Sequence, residues 1–317
     1  MTHEFESGFF VREPAWHKLG TVVHNAPSIE EAIKLARLDW EVKEQALWID
    51  TPERHFRPIL SHKALVRERD GYPLGVVGTA YTPLQNTKAF HFFNPFVQQG
   101  HVQLETAGSL KNGKRVWVLA KVRGAQADIV PGDEVKGYLL LSNSHDGSQA
   151  VRVQFTTVRV VCWNTLSSAE RKGDSQLESC LKVRHTVNVE AALEAVQKAV
   201  DVTNRTFSTS VEAYQALARK NITVVGLKDY VREVMRYDGI GPTSGMPQCW
   251  DCIEYAYESG PGSDIKGVRG TYWGAYNAIT DWLDHSRGKT EDNRLDSIWF
   301  GSGKAVAERA LAVALQH

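Results

Sequence analysis

The chain has 317 residues, and its 37 basic and 37 acidic side chains cancel; that is enough to bury a substantial core in one large or two smaller domains, with no global charge to announce an anionic partner. Four cysteines and the lack of a hydrophobic signal segment after Met1 lead us to expect a reducing, cytoplasmic setting without a disulfide scaffold. No apolar run approaches bilayer-crossing length, so no membrane partner is expected.

Residues through Pro27 read as irregular, with Gly8, Pro14 and Gly20 interrupting any period. Ser28 followed by Glu30 and Glu31 then predicts a capped amphipathic helix. Trp40 to Ile49 alternates as a strand, and Ile59 to Glu68 and Leu74 to Tyr81 give two more across the turn Arg69-Asp70-Gly71-Tyr72-Pro73. Thr82-Pro83 starts a helix predicted to run through Phe96.

Four further strands are predicted over Gln103 to Leu110, Arg115 to Val122, Glu134 to Ser142 and Val151 to Cys162. The first two are joined by Lys111-Asn112-Gly113, a tight turn that tolerates positive φ, and the last two by Ser144-His145-Asp146-Gly147-Ser148. In the last strand Val151, Val153 and Phe155 share one face while Arg152, Gln154 and Thr156 share the other, which predicts a half-buried strand with a cationic outer face. Arg159 falls on the apolar parity, so either a bulge re-aims it or it is partly buried with a partner.

A helix is expected to start at Ser167-Ser168-Ala169-Glu170, and the chain then turns helical, over Glu190 to Lys220, Leu227 to Arg236, Thr271 to Ser286 and Gly303 to Leu315. The expected class is therefore α+β: an antiparallel sheet with hairpins in the N-terminal and middle parts and a helical C-terminal part, divided as residues 1–186 and 187–317.

Residues 100–190 carry 12 basic and 9 acidic side chains, so an anion would be met there. The ordered motifs Gly108 to Trp117, Ser144-His145-Asp146-Gly147-Ser148, Arg159-Val160-Val161-Cys162-Trp163-Asn164-Thr165-Leu166, Arg184-His185-Thr186 and Trp299-Phe300-Gly301 resemble a phage- and plasmid-type family, the domain of unknown function 932. The resemblance implies a mobile-element context and no particular chemistry. The N-terminal order of helix, strand, hairpin and helix is also similar, in outline only, to Rad52-type annealing proteins, whose rings hold single-stranded DNA with β-hairpins and a basic groove.

The expectation is a non-enzymatic single-stranded DNA-binding protein, of annealing type and assembled as a homo-oligomer, with a ring as the form such annealers take. The expected contacts are Lys111, Lys114, Arg115, Arg152, Arg159, Arg171, Lys172, Lys182 and Arg184 to the backbone, with Trp117 and Trp163 stacking on bases. The alternative is a host-interaction or regulatory protein whose nine tryptophans build a protein interface.

Catalytic readings are weaker. His145-Asp146 is explained by turn chemistry, and Cys162 by a buried strand end. No phosphate-cradling loop is present, because Gly301-Ser302-Gly303-Lys304 lacks the upstream Gly. Cys249-Trp250-Asp251-Cys252 has zinc or redox spacing without a second pair nearby, so no metal and no cofactor are expected.

Overall fold

In the computed structural model, residues 5–12, 20–52, 55–162, 164–166, 180–199, 203–237, 248–288, 297–298 and 301–317 are described. The expected α+β class is present, with antiparallel hairpins and helices mostly in the C-terminal half. The expected helix start at Ser167 lies outside the described residues.

The smaller sheet has three antiparallel strands, β3 (Val42–Asp50), β4 (Phe56–Arg67) and β5 (Pro73–Gly78), in sequence order. The larger sheet runs β10-β9-β8-β7-β6-β1-β2, with β11 also pairing β9. Its strands are β1 (Phe5–Val11), β2 (Thr21–Val23), β6 (Val102–Leu110), β7 (Arg115–Asp128), β8 (Glu134–Ser144), β9 (Val151–Arg159), β10 (Asn164–Leu166) and β11 (Cys180–Val183).

Compactness divides the chain into two interleaved units. The first comprises residues 1–123, 139–154 and 180–201, and the second residues 124–138, 155–179 and 202–317. Segments 124–138 and 155–179 thus group with the C-terminal helices rather than with the sheet residues that precede them, where the sequence suggested one cut near residue 186.

In the first unit Phe5–Val11 and Thr21–Val23 form strands where an irregular course was expected. Strand β1 pairs antiparallel with β6 and parallel with β2. Gly8 marks a close approach and not a break: a Cβ there would lie 2.9 Å from the Ala107 carbonyl oxygen across the ladder. The predicted helix after Pro27 is α1 (Ile29–Leu35), and its capping box is complete: the Glu31 amide donates to Ser28 Oγ at 3.3 Å and the Ser28 amide to Glu31 Oε2 at 2.9 Å.

The helix expected from Thr82 to Phe96 is two short ones, α2 (Asn86–His91) and α3 (Asn94–Gln98). Pro95 lies in the first turn of α3; without an amide it cannot continue the ladder of α2, but it suits a new start. Gln85 binds both backbone groups of Val42, accepting from its amide at 2.8 Å and donating to its carbonyl at 3.0 Å. The β6–β7 hairpin forms as expected, with Lys111, Asn112 and Gly113 all at positive φ.

In the second unit the core gathers α5 (Thr203–Arg219), α6 (Val224–Met235), α7 (Trp250–Ser259), α8 (Tyr272–Asp281) and α9 (Ser302–Gln316), with Trp273, Tyr214, Tyr230 and Tyr276 fully buried. The remaining helix, α4 (Val189–Ala199), follows β11 in the chain. Strand β9 is buried on both faces, not half-exposed: Gln154, Thr156 and Val158 are as covered as Val153, Phe155 and Thr157. Alternation of residue type does not translate into exposure because other elements pack onto the strand: Phe207 of α5 meets Phe155 edge-on at 6.3 Å, and the Tyr214 hydroxyl bonds Thr157 Oγ1 at 2.7 Å.

Gly108 offers a direct test of close packing in the larger sheet. A Cβ at that position would clash with the Ser7 carbonyl oxygen and lie 2.6 Å from the Trp117 ring. Gly108→Ala is expected to destabilise the chain by about 2 kcal/mol or more, read from the urea midpoint, whereas Gly78→Ala, which meets nothing within 4 Å, should cost far less.

Candidate nucleic-acid interface

The expected contact residues separate into three groups. Trp163, Arg171 and Lys172 lie outside the described residues. Arg159 and Trp117 are interior, at 2% exposure each, and present nothing to solvent. The other six, Lys111, Lys114, Arg115, Arg152, Lys182 and Arg184, belong to the first unit, where Lys182 and Arg184 are exposed and the rest half-buried.

Arg159 is held in the second unit by turn chemistry. Pro131 and Gly132, the latter at φ +86°, form a tight turn closed by the Asp133 amide on the Val130 carbonyl at 2.9 Å, and so fix Asp133. Arg159 Nε donates to Asp133 Oδ1 at 2.7 Å and Nη2 to Oδ2 at 2.9 Å, a bidentate pair. The guanidinium also donates to the carbonyls of Pro261 at 3.3 Å and Gly262 at 3.1 Å, and meets Cys162 Sγ at 3.7 Å. Trp273 Nε1 donates to Asp133 Oδ2 at 2.7 Å. Burial is the largest influence and works against the guanidinium charge, but the hydrogen bonds and charges of Asp133 and Cys162 together outweigh it, so the pKa rises.

Asn164 and Thr165 of that motif are also bound to the helical part of this unit. Asn164 donates to the Asn277 carbonyl at 3.2 Å and accepts from His285 Nε2 at 3.1 Å. The Thr165 amide donates to Asp284 Oδ2 at 2.5 Å. A π-helical turn, Trp282–Ser286, ends α8 and carries Asp284 and His285. Burial holds Asp284 protonated well above the usual carboxylate range, with Asp281 adding to the effect. Burial also pushes the Cys162 thiol up to about 11, the opposite of an activated nucleophile.

In the first unit the surface is organised around the turn 144–149. Asp146 Oδ1 accepts from the Ser148 amide at 2.9 Å, Gly147 takes φ +75°, and Ser144 Oγ closes the turn onto Gln149. His145 is fully buried; its Nε2 donates to Asn86 Oδ1 at 2.9 Å and its ring meets Trp40 edge-on at 5.6 Å. Burial lowers its pKa to about 3, with His185 adding to the effect, so the ring is neutral and structural. Asp146 bonds within the turn and not to His145, which separates the two members of the catalytic dyad weighed from sequence.

Cations flank this turn. Arg115 Nη2 lies 3.5 Å from Ser148 Oγ, and Arg115 helps hold the Asp146 carboxyl below its ordinary pKa, although burial opposes it and hydrogen bonds from Ser148 contribute more. His185 stacks on Tyr81 at 4.4 Å, and the Tyr81 hydroxyl donates to the Ser144 carbonyl at 2.6 Å. Arg184 precedes His185, and Lys182 sits directly across the ladder from Arg152. Arg115 thus lies at the turn, while Arg152 and Lys182 stand on the β9–β11 pair, whose chain runs on through Arg184 to the His185 that packs on Tyr81.

The same turn adjoins the smaller sheet. A Cβ on Gly75 of β5 would come 2.6 Å from Asp146 Cα, and one on Gly147 would come 3.0 Å from Val77. Strand β5 pairs only with His62 to Val66 of β4, so the outer parts of β3 and β4, from Leu47 to Asp50 and from Phe56 to Ile59, continue as a two-stranded ribbon. Register places Trp48 opposite Pro58, and Asp50 opposite Phe56, on one face; Ile49 stands opposite Arg57 on the other.

Trp48 is 57% exposed, Phe56 71% and Leu60 82%. These residues were absent from the contacts expected from sequence. The period-2 alternation that identified the strands implies one covered face, and this ribbon has none.

A family model, the domain of unknown function DUF932, matches residues 73–299. The chain belongs to this family. No curated protein and no solved structure matches it. The DUF932 match takes in the turn 144–149, the Arg159 motif and its partners on α8, while the ribbon precedes its first residue.

Two substitutions test this account of the DUF932 motifs. Asp133→Ala leaves a guanidinium buried without its counter-charge and should cost about 3–5 kcal/mol of unfolding free energy, whereas a surface pair such as Lys88–Glu190 should contribute under about 1 kcal/mol when either partner is replaced. Asp284 has a folded pKa above its unfolded value, so the stability it contributes is full below the unfolded pKa and is lost as pH rises through the folded one. Asp284→Asn keeps an acceptor for Thr165 and should raise the urea midpoint at pH 8, with the difference closing near pH 4.

Proposed function

We propose that this chain binds single-stranded DNA without catalysis, in the setting of a mobile genetic element, and that it acts as a homo-oligomer of annealing type. The observation that carries the reading is the exposed ribbon with Trp48 and Phe56, in the same unit as Arg115 at the turn 144–149 and as Arg152, Lys182 and Arg184 on and after the β9–β11 pair. Single-strand binding needs cations along a backbone path and flat side chains for bases, and both stand in the first unit. Arg57, exposed on the ribbon, adds a charge that can reach a phosphate.

Resemblance of the motifs to phage and plasmid proteins supports the mobile-element setting. The apolar character of the ribbon, with Ile49 at 50% exposure and Leu60 at 82%, also favours a second reading, a protein-docking role in host interaction or regulation.

A salt titration of labelled oligothymidylate binding by anisotropy separates the two. The DNA reading expects affinity that falls linearly with salt on logarithmic axes. Lys182→Ala and Arg184→Ala should each shallow the slope by about 0.7, and Trp48→Ala or Phe56→Ala should weaken binding roughly tenfold with the slope unchanged. No binding at low salt, with all variants folded, would favour protein docking instead.

A further inference from the structure

The pair Cys249 and Cys252 has no part in the proposed DNA contacts, which lie in the other unit. The sequence spacing left it without a context, because no strand precedes it. The structure supplies one: Cys249 is the N-cap of α7, with φ −83° and ψ −3°, and its own side chain makes no capping hydrogen bond.

A rise of about 1.5 Å per residue on a helical radius of about 2.3 Å puts residues three apart at a Cα separation of about 5 Å. That lies inside the Cα range of about 4.4–6.8 Å found across disulfides, while the helical Cβ separation of about 5–6 Å exceeds the usual range of about 3.5–4.5 Å, so closure calls for a small shift at the head of the helix and gives a readily reduced bond. The two thiols also differ in access: Cys252 is exposed, whereas Cys249 is half-buried and packs against the helical core. Arg287 lies close enough to Cys249 to favour its thiolate, although burial dominates and raises the pKa, with Cys252 also raising it.

We propose that Cys249 and Cys252 form a thiol–disulfide exchange site at the head of α7, reversibly oxidised by low-molecular-weight disulfides of the glutathione type. The exposed Cys252 thiolate attacks one sulfur of the oxidant; the oxidant's S–S bond breaks, a mixed disulfide forms, and the departing thiolate takes up a proton. Cys249 then loses its proton to solvent and attacks Cys252 Sγ, expelling the second small thiol. Two protein thiols are oxidised and one small disulfide is reduced to two thiols, so atoms and electrons balance. The other cysteines are placed differently, Cys162 buried beside Arg159 and Cys180 on β11. Among the described residues no group of three or more His, Cys, Asp or Glu side chains converges as a metal site.

The test treats the purified full chain with oxidised glutathione, traps remaining thiols by alkylation and reads the products by peptide mass. The expected result is loss of two hydrogens on the peptide spanning Cys249 and Cys252, without a retained glutathione adduct and fully reversed by reduced glutathione. Cys249→Ser should accumulate the adduct on Cys252, and Cys252→Ser should react at least tenfold more slowly. Full alkylation of both cysteines in the oxidised wild-type chain, or stoichiometric zinc retained by it and lost in both variants, would overturn the proposal. The wild-type arm decides the matter even if a variant fails to fold.

Discussion

A guanidinium withdrawn from water must be given back nearly everything water supplied, and Arg159 shows what that demands of the second unit. It needs a carboxylate with matched geometry, two carbonyls from the loop after α7, and an indole to hold the carboxylate's far oxygen. Each partner comes from a different segment, so the ion pair fastens the β7–β8 turn, the end of β9, the 261–262 loop and α8 to one another. Breaking it strands a buried charge, and the motif that follows, through Asn164 and Thr165, is built onto the same helix. A specific sequence motif here encodes an interior and not a surface.

The first unit answers to the opposite constraint. A two-stranded ribbon has two faces and nothing within itself to cover either, so its apolar side chains remain in water unless a partner covers them. Trp48 and Phe56 share one face of such a ribbon. The same unit holds Arg115 at the turn 144–149 and the cross-strand cations Arg152 and Lys182. Neutral His145 beneath the turn fixes its shape without adding charge. On the proposed reading, the exposed rings and the cations of this unit would together supply affinity for a charged, flat-based chain without nucleotide hydrolysis.

Much of this was legible in the residues. The capping box at Ser28, the positive-φ turn at Asn112-Gly113 and the Asx turn at Asp146 are local chemistry, and each appears where its residues required it. The parity of Arg159 in β9 left open a bulge or a buried partner, and the residue was expected at DNA; that Asp133, from a Pro-Gly turn 26 residues upstream, would hold it in the interior was not legible. What escaped was set by tertiary surroundings. Trp117 and Trp48 both lie in alternating strands, yet Trp117 presses on Gly108 in the sheet interior while Trp48 stands on an uncovered ribbon. Gly8 read as a break because a glycine's reason, an approaching carbonyl, lies about a hundred residues away.

Cross-linking tests the central claim most directly. Oligonucleotides carrying a photoreactive pyrimidine, irradiated on the full-length chain, should attach to peptides containing Trp48 and Phe56 and to those around Arg115 and Arg184, with attachment falling as salt is raised. Adducts confined to the helical unit, or none at low salt from a folded chain, would contradict it.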